Sequence, residues 1–420
     1  MAIIPKLALI PSGYKAGKLY SVLPTNGDGD FTTTRNTVAT RVNENGLIEE
    51  VASNVPRLDY SDGGCPSLLL EPQRTNLLTY SSGFVTDWNN TNIIINSNSI
   101  TSPDGNLNAT KFIPNTTSGG HYLDRSGVSV SNNALSSIFA KKGEYKRFSI
   151  RSYFSGANAI FDVNDGVIIS ESSVTAKIED YGNGWYRCSL NEIGNANYGY
   201  GIFVMEDNST NPLDTYVANG VDGIYFYGAS LEIGSFVTSY IPTTNSAVTR
   251  SADTANGAGD ASTFNDSSGV LYFEGTSSAE GENRQLGISD GSSSDRVIIT
   301  LRPDNETIRF YYEGTTGGAV QIDSAGHNFN NTLKIACKYK SGDIALWVNG
   351  IEVGTSTSAI TTSGLNVLDF YNVANTSIAM YSNTKQIQYF DSALNDSDLE
   401  KLTSWTSFTA MANGQSYTII

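Results

Sequence analysis

The stretch Tyr145-Lys146-Arg147-Phe148-Ser149-Ile150-Arg151-Ser152-Tyr153-Phe154 decides the fold class. Phe148, Ile150 and Phe154 fall on one face, and Arg147 and Arg151 on the other. That is the period of a strand with one buried side, not of a helix. The same rhythm continues outward. Residues 159–163 and 167–169 flank Asn164-Asp165-Gly166, a hairpin turn. Val174, Ala176 and Ile178 alternate with Lys177 and Glu179. Gly182-Asn183-Gly184 then turns the chain into residues 185–190, where Tyr186, Cys188 and Leu190 share a face. Residues 200–205 and 223–231 complete a set of about eight strands, the number of a jelly roll.

A second region repeats the pattern. Residues 251–269 are rich in Ala, Gly, Asp, Ser and Asn and read as a linker. Beyond it, residues 270–274, 296–301, 307–312, 332–339 and 344–348 read as strands. Asn349-Gly350, between Ile344/Leu346/Val348 and Ile351/Val353, is the strongest short hairpin signal in the chain. One helix is expected, capped by Asn395 with Asp398 three residues on, with Leu399 and Leu402 as its apolar stripe and Lys401 near its far end. Residues 1–75 have little such rhythm beyond a hairpin at Asn45-Gly46, and read as an extended arm. The fold class is therefore all-β: an N-terminal extended arm (1–75), a jelly-roll sandwich (76–250), the linker (251–269) and a second antiparallel sandwich (270–420).

Charge narrows the partners. The 420 residues carry 26 Lys and Arg against 42 Asp and Glu, a net charge of −16 at pH 7. Such a balance offers no basic footprint for nucleic acid or an anionic membrane. No apolar run reaches the 18 residues of a spanning helix. The start, Ala2-Ile3-Ile4-Pro5, lacks the basic n-region of a leader. Only 16% of residues are charged, against about 25% in an ordinary soluble domain. The surface therefore falls to Ser, Thr and Asn, groups that suit sheets and sugar hydroxyls.

Catalysis finds little support. Two His residues in the whole chain leave few proton carriers or metal ligands. His121 and His327 read as exposed loop residues. No Glu-x-Asp-x-Glu string lies on an expected strand, and Asp396, Asp398 and Glu400 sit at a helix start, where acids are stabilising. No nucleophile elbow or phosphate-binding loop occurs. Cys65, Cys188 and Cys337 form no CxxC or Cys/His cluster, and the last two lie in alternating apolar runs as small buried hydrophobes. No enzyme and no cofactor are expected. Asp290, Asp295 and Asp343 are loop carboxylates of the right hardness for calcium, but their spacing is that of turn formers.

Sugar contact needs aromatic faces beside amides and carboxylates. Among 23 Tyr and 4 Trp, two clusters meet that need: Asn195-Ala196-Asn197-Tyr198-Gly199-Tyr200, and Trp88 with Asn89 and Asn90. Trp88, Tyr198, Tyr200, Asn195 and Asn197 are the candidate glycan-binding residues. Each aromatic also has a packing reading, which is favoured for Trp88, for Trp185 and for Trp347; for Tyr198 and Tyr200 the two readings stand level.

Three stretches resemble virion proteins of tailed phages. Residues 39–48 (Ala-Thr-Arg-Val-Asn-Glu-Asn-Gly-Leu-Ile), with Asn54-Val55-Pro56-Arg57-Leu58-Asp59-Tyr60 and Leu68-Leu69-Leu70-Glu71-Pro72-Gln73-Arg74-Thr75-Asn76-Leu77-Leu78, resemble the N-terminal segment of tail-fibre and head-fibre proteins. The strings Asn76-Leu77-Leu78-Thr79-Tyr80-Ser81, Ser102-Pro103-Asp104-Gly105, Gly182-Asn183-Gly184-Trp185-Tyr186-Arg187 and Gly234-Ser235-Phe236-Val237-Thr238-Ser239-Tyr240-Ile241-Pro242-Thr243 resemble the phage head spike fibre domain, a jelly roll similar to carbohydrate-binding modules. Leu346-Trp347-Val348-Asn349-Gly350 with the helix resembles the concanavalin-A-like, laminin-G-type lectin sandwich. The resemblance implies a virion location after synthesis in the bacterial host cytoplasm, and a homotrimeric fibre or spike. It further implies attachment to other virion proteins through residues 1–75 and contact with host-surface glycans. Three alternatives stay open: a purely architectural decoration without glycan binding, a glycan depolymerase tailspike, and a secreted bacterial adhesin with the same modules, which the lack of a leader disfavours.

Overall fold

Asn349 and Gly350 both lie at positive φ, 50° and 87°, the geometry of a tight two-residue turn whose twist matches its strands. They join Ile344–Val348 to Ile351–Ser356 as expected. The hairpins at Asn45-Gly46 and Asn164-Asp165-Gly166 also form, between Ala39–Val42 and Ile48–Val51 and between Asn158–Asp162 and Val167–Ser172. The computed structural model describes residues 4–152, 155–277, 281–406 and 410; Tyr153 and Phe154 of the opening stretch lie outside the described residues. The chain is nearly all β, in antiparallel sheets. It divides into two compact units, one of Met1–Thr37, Val51–Pro72 and Ala252–Ile420, the other of Val38–Glu50 and Gln73–Ser251.

The second unit is built on two long strands, Tyr122–Lys141 and Trp185–Met205. Each serves two layers. The early part of Tyr122–Lys141 pairs with Asn89–Thr91 and with residues 200–203, which continue to Arg147–Ser152 and Asn158–Asp162. Its later part pairs with residues 185–192 and with Ile224–Ile233. Register shifts between Arg125 and Ala134 mark where the strand bends from one layer to the other, as corners in sandwiches are commonly made. Leu123, Ile138, Phe148, Ile150, Phe161, Cys188, Ile202 and Phe226 fill the space between. Residues 185–190 and 200–205, read separately in the sequence, are one strand.

The first unit packs an eight-stranded sheet, centred on Ser268–Thr276, Leu333–Lys340 and Asn383–Phe390, against a five-stranded one built from Arg284–Ser289, Arg296–Arg302, Thr307–Gly314, Gly318–Ala325 and Val367–Asp369. Leu271, Phe273, Ile299, Phe310, Ile335, Cys337 and Leu346 lie in the core they share. The helix Asp396–Thr403 forms with Asn395 accepting from the Asp398 amide. It covers the outer side of the larger sheet, where Leu399 packs with Tyr272, Ala336 and Trp347. Trp347 is thus buried on the face opposite Leu346 and Val348, which bears out packing.

The structure differs from the expected organisation at residues 4–75 and 251–269, which contribute strands to these units. Leu7–Leu9 and Ser67–Leu69 pair with Asn383–Phe390, and Phe31–Thr34 pairs with Thr254–Asn256. Leu7, Leu9 and Phe31 are core residues. Strands of three or four residues are too short to display a period, which is why this segment read as an arm. The apparent linker misleads by composition: its small residues Ala255 and Ala258 are buried, and its acids satisfy backbone. Asp266, for example, accepts from the Gly364 and Leu365 amides at 2.9 and 2.8 Å.

Residues 54–60, 68–78 and 234–243 build buried polar clusters. Arg57 and Arg35 are buried together in the first unit with Glu71 and Asp253. Arg57 Nη1 donates to Glu71 at 2.7 Å, Arg35 Nη1 donates to Asp253 at 3.0 Å, and Arg57 Nη2 donates to the other Asp253 oxygen. Burial alone would lower the Arg57 pKa, but the charges of Asp253 and Glu71 outweigh it and hold it above its ordinary value. In the second unit, buried Asn76 makes four hydrogen bonds: Nδ2 donates to the Ala229 and Ile241 carbonyls at 3.1 and 2.9 Å, and Oδ1 accepts from the Leu78 and Leu231 amides at 3.1 Å each. Tyr240 closes the same seam, its hydroxyl 2.6 Å from Ser81 Oγ.

Candidate functional site

Trp88 and Tyr200 do come together, but inside the core. Trp88 is 7% exposed, donates through Nε1 to the Thr79 carbonyl at 3.3 Å, and meets Phe84 and Tyr200 edge-on at 5.2 and 5.8 Å. Tyr200 is fully buried and donates to the Ser137 carbonyl at 2.9 Å. Neither ring offers a face to a sugar, so for these two the packing reading replaces the binding one. Asn195, Asn197 and Tyr198 lie on the strand Trp185–Met205, opposite Asn132, Ser129 and Val128; their side chains lie outside the described residues. Trp185 also packs, donating to the Thr101 carbonyl at 3.1 Å. Of the Trp88-Asn89-Asn90 string, Asn89 points outward and donates to Asp124 at 3.0 Å, while Asn90 is spent on its own turn with Ile93.

A better-formed polar face lies on the first unit. The strand Thr307–Gly314 alternates strictly. Ile308, Phe310 and Tyr312 enter the core, so Arg309, Tyr311 and Glu313 point away from it. Tyr311 is half-buried between two oriented ion pairs. On one side Arg309 grips Asp323 with two hydrogen bonds, Nε to Oδ1 at 2.8 Å and Nη2 to Oδ2 at 3.0 Å. On the other, Arg296 donates to Glu313 at 2.7 Å and to Asn372 at 3.1 Å, its guanidinium 5.0 Å from the Tyr311 ring centre. Strand geometry sets the backbones of Arg309 and Glu313 about 7 Å to either side of that of Tyr311. Gln321 extends the row and donates to Asp323 at 2.9 Å, and Gln285 donates to Thr300 at 3.0 Å. The Arg309 hydrogen bonds, with its charge, outweigh burial and hold the Asp323 carboxyl below its ordinary pKa. It therefore stays ionised, an acceptor fixed in direction. An aromatic side with paired donors and acceptors on both flanks can receive a ring that carries C–H bonds on its face and hydroxyls at its rim.

Residues 307–312 form the expected strand, but these side chains lie outside the clustered aromatic and amide strings that mark the candidate residues in the sequence. The alternation itself was the available signal: a strand whose outer positions read Arg, Tyr, Glu presents a binding-type surface.

Both histidines depart from exposed-loop expectation. His121 is 1% exposed, with Nδ1 2.9 Å from the Asn92 carbonyl and Nε2 3.2 Å from that of Tyr216. His327 is half-buried, its Nε2 2.8 Å from Ser324 Oγ, and burial lowers its pKa. No carboxylate among the described residues completes that pair. Asp290, Asp295 and Asp343 are engaged separately: Asp290 with Ser292, Asp295 with the Thr315 and Ser363 amides, Asp343 with Lys338. Among the described residues no group of three or more His, Cys, Asp or Glu is placed to hold a metal ion, and no helix is long and apolar enough to cross a membrane.

No family model matches the chain, and no curated protein matches it. Solved structures to which the chain is similar include the carbohydrate-binding module CBM40 of the Ruminococcus gnavus IT-sialidase, bound to α2,3-sialyllactose (16% identity, 35% of this chain and 87% of that one, TM-score 0.31). Others are domains LG4-5 of the mouse laminin α1 chain (10%, 76% and 94%, TM-score 0.23) and the Trypanosoma rangeli sialidase (12%, 93% and 82%, TM-score 0.28). At these scores the likeness carries no functional argument.

Proposed function

We propose that this chain is a structural fibre or spike protein of a tailed-phage virion that touches host-surface glycans through the outer face of its five-stranded sheet. The observation that carries the glycan reading is Tyr311 set between the Arg309–Asp323 and Arg296–Glu313 pairs. The groups are held by each other before any ligand arrives, so little side-chain freedom is lost on binding. The sparsely charged, hydroxyl- and amide-rich composition agrees with it. The virion reading rests on the strings around Arg57, Glu71, Asn76 and Tyr240, which resemble fibre and spike proteins.

The mechanism is reversible contact without bond making and without a cofactor. One shallow site binds weakly, and a homotrimeric fibre displayed in many copies multiplies that by avidity of about 10²–10⁴. In this reading the protein is made in the bacterial cytoplasm and joins the virion through its neighbours. The test is binding of full-length protein to a panel of bacterial surface polysaccharides. Retained binding in a Trp88→Phe variant and loss in Tyr311→Ala are expected. Absence of binding to every polysaccharide by the folded protein would leave the architectural reading in its place.

A further inference from the structure

The second unit holds a small depression of about 180 Å³, lined by Gln73, Arg74, Thr75, Leu77 and Ile233. Arg41, Arg147, Arg296 and Arg309 each face a carboxylate, but Arg74 has none among the described residues. Its Nη1 donates once, to the Gln73 carbonyl at 3.0 Å, and its Nε is buried without a partner. The guanidinium is nonetheless held in place. The Phe236 ring centre lies 5.4 Å from Cζ, and the chain passes so close at Gly234 that a Cβ there would sit 2.6–2.8 Å from Nη2, Nε and Cζ. A held guanidinium with unspent donors and no acid is a receptor for an oxyanion of matching planar shape.

The rest of the lining defines the ligand. Leu77 and Ile233 give an apolar wall, with Ile233 37% exposed, and the exposed Gln73 amide supplies a polar rim. The volume lies below the roughly 300 Å³ at which drug-sized ligands begin, so the occupant is one ring and not a chain segment. The geometry points to a subsite for an acidic sugar of uronate type, its carboxylate on the Arg74 guanidinium and its C–H face on Leu77 and Ile233. This site is separate from the Tyr311 face and stands or falls independently of it.

The test is titration of the full-length chain with methyl β-D-glucuronide and, as the uncharged twin, methyl β-D-glucoside, followed by ligand-observed NMR. Glucuronide binding at millimolar concentration, at least tenfold tighter than the glucoside and weakened by salt, is expected. Arg74→Gln should lower it at least tenfold, Arg74→Lys should retain part of it, and Tyr311→Ala should leave it unchanged. Gly234→Ala, which displaces the guanidinium, gives a second route to the same loss should Arg74→Gln fail to fold. Equal binding of the two sugars, indifference to both Arg74→Gln and Gly234→Ala, or loss in Tyr311→Ala alone would overturn the assignment.

Discussion

Replacing Asp253 by Asn tests the ionic cluster that the Arg57 and Glu71 strings build. Asp253 faces Arg35 and Arg57, whose side chains are 1% and 0% exposed. It also accepts from the Glu71 amide at 3.0 Å. The four side chains balance as two positive and two negative charges. At an effective dielectric of about 20 each close pair is worth about 4 kcal/mol, largely offset by the loss of hydration. Removing one acid leaves that desolvation cost in place with a net buried positive charge, and the new amide N–H groups would point at other donors. The expected loss is about 3–5 kcal/mol. At about 2–4 °C per kcal/mol for a unit of this size, the leading calorimetric transition of the full chain should fall by about 6–20 °C. Asp62→Asn, at an exposed surface pair with Lys385, should move it by less than about 4 °C. Combining Asp253→Leu and Glu71→Leu with Arg35→Met and Arg57→Met should recover part of the loss, because an apolar replacement of a whole buried ion cluster is often neutral. A shift for Asp253→Asn no larger than that for Asp62→Asn would refute the reasoning.

Other outcomes follow from single side chains. Asn76→Ala strands two carbonyls and two amides at about 1–3 kcal/mol each, so the second unit should lose at least about 3 kcal/mol, measured by urea denaturation. Trp88→Ala should cost about 3–5 kcal/mol as a core deletion, while Trp88→Phe leaves polysaccharide binding unchanged in a pull-down. Asp162 is buried. Burial alone would raise its pKa, but the Lys146 hydrogen bond and the Asn164 and Asp165 amides outweigh it and lower the pKa. A lowered folded pKa contributes stability that is present above the ordinary carboxylate range and lost as pH falls through the folded value. Asp162→Asn should therefore flatten the acid limb of the stability–pH curve below about pH 4, followed by thermal unfolding at stepped pH.

Much of the fold was legible because the turns are chemical. Asn349-Gly350 and the Asn395 cap fix their geometry locally, and the Phe148/Ile150 alternation fixes which face is buried. What stayed hidden was non-local. Nothing in Leu7-Ala8-Leu9 says that it will pair with Tyr389, Gln388 and Ile387. Nor does Ser251-Ala252-Asp253 announce that its acid will meet Arg57. The candidate site was missed for a related reason. A Trp beside two Asn looks like a sugar platform in one dimension, but alternation sends Trp88 inward and Asn89 outward. The five-stranded face becomes a surface only when Arg309, Asp323, Arg296 and Glu313 are brought side by side by register. Each is unremarked in its own string.

The most direct measurement is the affinity of the full-length protein for the best-bound bacterial polysaccharide, compared with its Tyr311→Ala and Asp323→Asn variants at matched thermal stability. A charge-assisted hydrogen bond is worth about 1.5–3 kcal/mol, so losses of about 10- to 100-fold are expected for Asp323→Asn, with a comparable loss for Tyr311→Ala. Unchanged affinity in both variants would contradict the assignment of this face to glycan contact.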